Sequence, residues 1–263
     1  MLSPRAIRLV LRLFDSIDQA VTTRLVRKRP WTEEALTGLL CDLLDAETQE
    51  DERLEYSLVT MHKDFVRFDE PISIRLKVET HQYPKHLERW VTQSDLGLVV
   101  NYQNQFAPEF SLRRSWLLQA KRVFPSSGGN SYDRYSAFPS RDSEQEKRMR
   151  YLRDWAGEDF IRFLLYCPRP KTLGQPVRET LNQLRTNALS RNIFDYAFGL
   201  QLRDDLLSEN PTVAAGMFVA PLDHCPSNLG DVHQSLFNQT IPFSWFMIEH
   251  YSGPQFPDSS LRW

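Results

Sequence analysis

The sequence predicts an α/β fold in which helices flank a central mixed β-sheet. Three observations lead to this prediction: helical spacing of apolar residues near the start, alternating spacing in the middle, and interspersed helix and strand patterns in the second half. No repeat, low-complexity tract or long linker divides the 263 residues. We therefore expect one domain over 1–263, with a helical extension at 1–30, a core at 31–167 and an α/β elaboration at 168–263.

Two helices are predicted first, over 4–28 and over about 30–47. Apolar residues recur at helical spacing in both segments, and Thr32 is placed to cap the second helix. Strands are expected next, because the apolar residues then alternate with polar ones or are β-branched. These predicted strands lie at 53–62, 71–80, 94–102 and 115–124.

The second half of the chain alternates between the two kinds of element. Helices are predicted at 143–157, about 177–208 and 229–237, and strands at 160–168, 212–221 and 242–251. A Gly, Ser and Pro-rich loop separates the fourth predicted strand from the first of these helices. Helices interleaved with strands in this way are typical of a mixed sheet covered by helices.

Composition excludes several classes of protein. The hydrophobic share of 41% and the charged share of 25% are those of a globular chain, and no apolar run approaches the roughly 20 residues needed to cross a bilayer. Cys41, Cys167 and Cys225 form no CxxC pair, so neither a disulfide framework nor a thiolate zinc site is indicated. We expect a cytoplasmic protein without membrane attachment.

Charge is segregated along the chain. The net charge of −2 gives no global support for a polyanionic partner. However, residues 1–30 carry seven Lys or Arg against two Asp, whereas residues 33–52 carry eight acids and no base. Blocks of opposite charge can serve different surfaces of one molecule.

One predicted strand, 115–124, carries two polar side chains on an otherwise apolar face. Gln119 and Lys121 point to the same side as Leu117 and Val123, because alternate side chains of a strand share a face. An ammonium group in this position is costly unless an anion pairs with it. The alternative interpretation is a strand with one solvent-exposed face, and the apolar Leu117 and Val123 on that face argue against it.

Asp95 opens the preceding predicted strand and can supply that anion. Gly97 lies on the same face and leaves room for a close approach. If the two strands are neighbours, Asp95, Gln119 and Lys121 converge at one end of the sheet. Carboxylates and an amide oxygen are ligands that Mg²⁺ accepts while retaining several waters. A cap or turn role is the alternative interpretation of Asp95.

The segments "SDLGLVV" at 94–100 and "LLQAKR" at 117–122 together resemble the PD-(D/E)xK nuclease superfamily, in the subset where Gln replaces the second acid. Ser94 stands where that family has proline. The segment "WTEEALTGLLCDLL" at 31–44 is similar to the Glu-bearing helix that precedes the family's core strands. The resemblance implies a restriction-endonuclease-like fold and cleavage of phosphodiester bonds with Mg²⁺, or alternatively Mn²⁺.

The resemblance also implies roles for individual residues. Asp95 would be a metal ligand, together with the Gln119 side chain or the Ala120 carbonyl. Lys121 would be the catalytic lysine, which orients or deprotonates the attacking water and offsets charge on phosphorus.

A third acid is required, and three residues compete for it. We rank Glu34 first, as a catalytic residue and metal ligand on the early helix. Glu33 is one position off, and Glu79 is an alternative carried by a strand.

The implied substrate is DNA ahead of RNA, cut internally, in bacterial restriction or defence. Phosphate contacts are expected from Arg122 and from the helix bases Lys147, Arg148 and Arg150, although a solvated helix face is the alternative for the last three. Two rival hypotheses remain. The chain could be a catalytically inactive nucleic-acid-binding module, or it could act through a protein partner or a homodimer.

Overall fold

The architecture is an α/β fold with one six-stranded mixed sheet, as the sequence predicts. The computed structural model describes residues 4–45, 48–49, 54–68, 74–84, 86, 92, 94–104, 111–126, 131–139, 143–157, 159–192 and 215–249. The helices are α1 (Pro4–Thr22), α2 (Glu33–Leu44), α3 (Leu58–Arg67), α4 (Ser143–Ala156), α5 (Gln175–Asn192), α6 (Leu229–Gln234) and α7 (Phe243–Glu249). The strands are β1 (Ile74–Gln82), β2 (Leu96–Asn104), β3 (Leu112–Arg122), β4 (Ile161–Tyr166), β5 (Met217–Pro221) and β6 (Ile241–Pro242).

The strands follow one another across the sheet in chain order. The β1–β2 and β2–β3 pairs are antiparallel, the β3–β4 pair is parallel, and the β4–β5 and β5–β6 pairs are antiparallel. A parallel neighbour requires a crossover, and α4 lies in the connection between β3 and β4. The strands predicted at 94–102 and 115–124 are therefore neighbours, as the site hypothesis requires.

Helices cover both faces of the sheet. The side chain of Gln145 on α4 contacts Gln119 on one face. The hydroxyl of Tyr166 on β4 lies 3.1 Å from Thr37 of α2. Tyr166 pairs in register with Arg122, so it shares the face of Arg122, which is opposite to the face of Gln119 because successive side chains of β3 alternate. The helices α4 and α2 therefore lie on opposite sides of the sheet.

The predicted strand at 53–62 is wrong where the structure describes it, because α3 begins at Leu58. Ser57 caps this helix by accepting a hydrogen bond from the Thr60 amide at 3.2 Å. Met61 and Phe65, one helical turn apart, are its buried residues. The cap and this pair favour a helix over the alternation that suggested a strand.

The predicted final strand at 242–251 is also wrong, since β6 contains two residues and α7 follows at once. Every residue from Phe243 to Ile248 is buried. A segment that is buried on all sides has no period that distinguishes a helix from a strand. The first helix is shorter than predicted, ending at Thr22, and the predicted elements at 193–208 and 212–214 lie outside the described residues.

One continuous hydrophobic core joins the first helix to the end of the described chain. Phe14 of α1 meets Phe243 of α7 edge to face, with ring centroids 6.2 Å apart. A buried guanidinium, Arg169, crosses from the segment after β4 to Asp15 on α1. In the part of the chain that the structure describes, no helix is long and apolar enough to span a membrane.

Candidate active site

Asp95 is fixed at the point where β2 begins beside β3. Its main-chain N–H donates to the Leu118 carbonyl at 3.1 Å, which continues the β2–β3 ladder. Its carboxylate oxygen Oδ2 accepts hydrogen bonds from the Gln119 side-chain Nε2 at 2.5 Å and from the Ala120 amide at 2.8 Å. The structure therefore brings Asp95 and Gln119 together, as the residue pattern predicts.

Gln119 is 2% exposed, and both ends of its amide have partners. While Nε2 donates to Asp95, Oε1 accepts a hydrogen bond from Gln145 Nε2 on α4 at 2.9 Å. In this orientation Gln119 holds the Asp95 carboxylate in place and directs its own oxygen toward α4. These contacts favour the Ala120 carbonyl over the Gln119 oxygen as a metal ligand, and they add Gln145, which the sequence reasoning missed.

Glu33 is the second carboxylate at this edge. It begins α2, directly after the capping residue Thr32, and its Oε2 accepts a hydrogen bond from the Arg122 amide at 2.8 Å. The Ala120 and Arg122 amides point the same way, about 7 Å apart along the strand, since they are two residues apart. The carboxylates of Asp95 and Glu33 thus occupy successive positions along β3, beyond the start of β2.

The Ala120 carbonyl belongs to the same edge. In a strand the N–H and C=O of one residue point in the same direction, so this oxygen lies between the amides that bind Asp95 and Glu33. Gln119 Nε2 approaches it at 3.4 Å. Two carboxylates and one main-chain oxygen therefore line a short stretch of β3.

The electrostatics of Glu33 are set by burial and by nearby positive charges. Burial raises the pKa of Glu33 above its usual value, and the positive charge of Lys121 is the largest influence that opposes this rise. Lys121 itself is half-buried. Beneath the site, burial raises the pKa of Tyr166 well above its usual value, and the negative charges of Asp95 and Glu33 add to that rise.

The other candidate acids lie elsewhere. Glu34, which the sequence interpretation ranked first, is exposed. Glu79 pairs in register with Val99, four residues along β2 from Asp95, or about 13 Å. The geometry favours Glu33, and helical spacing does not choose between the two acids, because Glu33 and Glu34 lie three residues before Leu36 and Thr37, which are both buried.

The basic residues of α4 make contacts within the protein. Lys147 pairs with Glu144 at 2.7 Å, and Arg148 Nε donates to the Glu144 carbonyl at 3.1 Å. Arg150 forms an ion pair with Asp223. These contacts favour the solvated-helix interpretation of the three bases over the phosphate-binding one.

Arg122, unlike the bases of α4, lies beside the candidate site. Its Nη1 donates to the main-chain oxygen of Trp31, and its charge helps to lower the pKa of Glu33. The predicted nucleic-acid-binding role of Arg122 therefore falls on a residue at the edge of the candidate site.

Gly97 provides the space that the sequence suggested, and Tyr83 fills it. A Cβ atom at Gly97 would lie 2.4 Å from the Tyr83 hydroxyl oxygen. Tyr83 is anchored to the site edge, because its amide donates to the Asp95 carbonyl at 3.1 Å.

We expect Gly97→Ala to lower the free energy of unfolding by about 1–2 kcal/mol, because the Tyr83 ring must move. In a Tyr83→Ala background the same change should cost much less, since the clash is gone. Urea unfolding of the two single variants and the double variant measures this coupling. Equal costs in both backgrounds would contradict the predicted contact.

The donor set fits a magnesium ion. Among the residues that the structure describes, no group of three or more His, Cys, Asp or Glu side chains could hold a metal. Asp95, Glu33 and the Ala120 carbonyl nevertheless supply three hard oxygen ligands, and Mg²⁺ usually combines one or two carboxylates with retained waters. A cation bound here would oppose the effect of burial, which raises the pKa of Glu33.

Comparisons with known proteins identified no similar protein. A scan against protein-family models found no match, and neither did searches of curated proteins and of solved structures. The function must therefore be inferred from the geometry of this edge of the sheet.

Proposed function

We propose that the protein is a Mg²⁺-dependent nuclease that hydrolyses phosphodiester bonds, with DNA ahead of RNA as substrate. The observation that carries this proposal is the pair of carboxylates, Asp95 and Glu33, held by successive same-side amides of the strand that carries Lys121. The strand order supports it. Three antiparallel strands followed by a helix and a parallel fourth strand agree with the restriction-endonuclease-like fold that the resemblance implies.

The chemistry follows from the positions of these side chains. Asp95, Glu33 and the Ala120 carbonyl would hold the ion, which supplies Lewis-acid activation of water and neutralises phosphate charge when bound. Water attacks phosphorus and releases a proton to solvent, the P–O bond to the leaving sugar oxygen breaks, and that oxygen takes up a proton from solvent. The Lys121 ammonium stabilises the negative charge that develops on the phosphoryl oxygens. Gln119 and Gln145 fix the Asp95 carboxylate.

The setting of the reaction is part of the proposal. Internal cleavage of DNA in restriction or defence is what the resemblance implies for such a nuclease. Mn²⁺ should replace Mg²⁺, because it accepts the same oxygen ligands.

One observation favours an inactive nucleic-acid-binding module as the second candidate. Gln119 occupies the position of the family's second acid, and its amide oxygen is directed toward Gln145. An inactive module should show no Mg²⁺-dependent increase in melting temperature, whereas the proposed nuclease should be stabilised by the ion.

A matched pair of variants tests the proposal on purified protein. We expect cleavage of plasmid or single-stranded DNA with Mg²⁺ and none with EDTA. Glu33→Gln should lower the cleavage rate by about 10²-fold, because it removes one carboxylate ligand. Glu34→Gln, at an exposed neighbouring position, should stay within about twofold of the wild type.

Two results would contradict this proposal. Absence of metal-dependent cleavage on plasmid, linear duplex, single-stranded DNA and RNA would leave the inactive module as the better hypothesis. Equal losses for Glu33→Gln and Glu34→Gln would show that cleavage does not use the site at this edge.

A further inference from the structure

Three exposed or half-exposed aromatic rings lie on segments next to the candidate site, and each is in contact with a guanidinium group. Arg122 lies over the Phe124 ring at 4.2 Å from the centroid, and Arg134 lies over the Tyr135 ring at 4.6 Å. Two further guanidinium groups approach a third ring, Trp31, at 5.4 and 5.9 Å. We call this set the aromatic rim; its members are Trp31, Phe124 and Tyr135 with Arg24, Arg27, Arg122 and Arg134.

The rim is continuous with the candidate site. Arg122 connects the two, because its main-chain amide donates to the Glu33 carboxylate while its side chain contacts both the Trp31 carbonyl and the Phe124 ring. Trp31 lies two residues before Glu33 in the chain. A molecule bound along the rim would therefore lie directly beside the proposed metal site.

The loop that carries Tyr135 is attached to the same region. The Phe124 amide donates to the Ala137 carbonyl at 2.9 Å, which brings this loop alongside the end of β3. Tyr132, in the same loop, donates its hydroxyl to the Leu25 carbonyl at 3.3 Å. The loop therefore bridges the end of β3 and the basic segment that follows α1.

The rings of Phe124 and Tyr135 are accessible, and among the rim's arginines Arg122 lies close enough to Glu33 to lower the pKa of that carboxyl. The side chains of Phe124 and Tyr135 are 43% and 66% exposed. Across the part of the chain that the structure describes, no salt bridge involves the rim's four arginines. The exposed bases Lys28 and Arg29 extend the positive surface beyond Arg27.

We propose that the aromatic rim binds unpaired bases of single-stranded nucleic acid next to the scissile phosphate. This inference rests on the proposed nuclease function, and it specifies the substrate as single-stranded or locally unpaired. Aromatic side chains stack only on base faces that are not buried in a duplex, and guanidinium groups beside them bind the phosphates between those bases. An acidic peptide would engage the arginines but would leave the exposed rings of Phe124 and Tyr135 without matching flat surfaces.

Fluorescence anisotropy in EDTA tests this proposal without cleavage. The probes are a labelled 12-nucleotide oligo-dT, an oligo-U of equal length and a hairpin duplex. We expect the single strands to bind more tightly than the duplex. Phe124→Ala combined with Tyr135→Ala should weaken single-strand binding about tenfold or more, because each stacked base contributes substantially to affinity.

The matched control replaces two other exposed aromatic residues. Tyr151 and Trp155 on α4 are 74% and 76% exposed, and the Tyr151→Ala, Trp155→Ala variant should bind as the wild type does. Arg27→Gln and Arg134→Gln should each reduce the slope of log affinity against log salt by about 0.7. Circular dichroism confirms that each variant is folded.

The outcomes separate this inference from the nuclease proposal. Equal affinity for single strand and duplex, or equal losses in the rim and control variants, would overturn the rim proposal even if the protein cleaves duplex DNA. Rim-dependent binding of single strands by a protein that never cleaves would support the rim and overturn the nuclease proposal alone.

Discussion

Replacing Lys121 with methionine is expected to lower the rate of DNA cleavage by about 10²- to 10³-fold while leaving the protein folded. Methionine keeps most of the aliphatic length, so the packing of this half-buried position changes little. What disappears is a positive charge at the edge of β3 where Asp95 and Glu33 are held. Single-turnover cleavage with protein in excess measures the chemical step, and thermal unfolding checks the fold.

A second measurement distinguishes an electrostatic role of Lys121 from a packing role. The charge of Lys121 lowers the pKa of Glu33, so its removal should raise that pKa further. Glu33 must be ionised to bind a cation, so cleavage declines as the pH falls and Glu33 takes up a proton. In Lys121→Met this decline should begin at a higher pH than in the wild type. Lys147→Met, at an exposed position paired with Glu144, is the control and should change neither rate nor pH profile. An unchanged profile in Lys121→Met would contradict the proposed role.

The centre of the sheet was predictable because its signals are local. Alternating or β-branched residues indicated β1, β2 and β3, and the polar pair Gln119 and Lys121 marked the strand that carries the site. Asp95 could be chosen as their partner because it opens the adjacent strand. Antiparallel pairing of consecutive strands is the commonest arrangement, so the register that brings Asp95 to Gln119 needed no long-range information.

The remaining parts of the site depend on how helices dock. Glu33 and Glu34 are adjacent in the sequence, and only the rotation of α2 against the sheet decides which of them contacts β3. Gln145 reaches Gln119 because α4 crosses over that face, and no spacing rule connects these two positions. The segments of α3 and α7 were predicted as strands for a related reason. One is short and the other is buried throughout, so neither has a spacing of apolar residues that separates a helix from a strand.

A buried ionic cluster, which the sequence did not reveal, connects α1 to the region around β5. Arg169 is fully buried and donates to Asp15 Oδ1 at 2.7 Å, and it lies 3.4 Å from Asp18. Asp18 in turn accepts hydrogen bonds from the Gly216 amide at 3.0 Å and the Met217 amide at 2.6 Å. One guanidinium thus faces two carboxylates away from water. Burial raises the pKa of both acids, that of Asp15 to about 7.

We expect Arg169→Met to lower the free energy of unfolding by about 3–5 kcal/mol at pH 8, because it removes the cation of this cluster. The variant leaves Asp15 and Asp18 buried without the guanidinium that contacts them, and the more distant Lys171 offsets only part of their charge. Burial of the unpaired acids costs more than the lost ion pair itself. Arg162→Met, which breaks the more exposed pair with Asp159 at 2.5 Å, should cost at most about 1 kcal/mol. Urea unfolding monitored by circular dichroism measures both variants.

The pH dependence of this loss tests the electrostatic cause. A carboxyl whose pKa is raised in the folded state contributes stability that is present below its unfolded value of 3.8 and is lost as pH rises through about 7. A proton taken up by Asp15 at pH 5 replaces part of the charge that Arg169 supplies, so Arg169→Met should be less destabilised at pH 5 than at pH 8. An equal loss at both pH values would mean that Arg169 acts through packing, because a purely steric contribution does not depend on the ionisation of its neighbours.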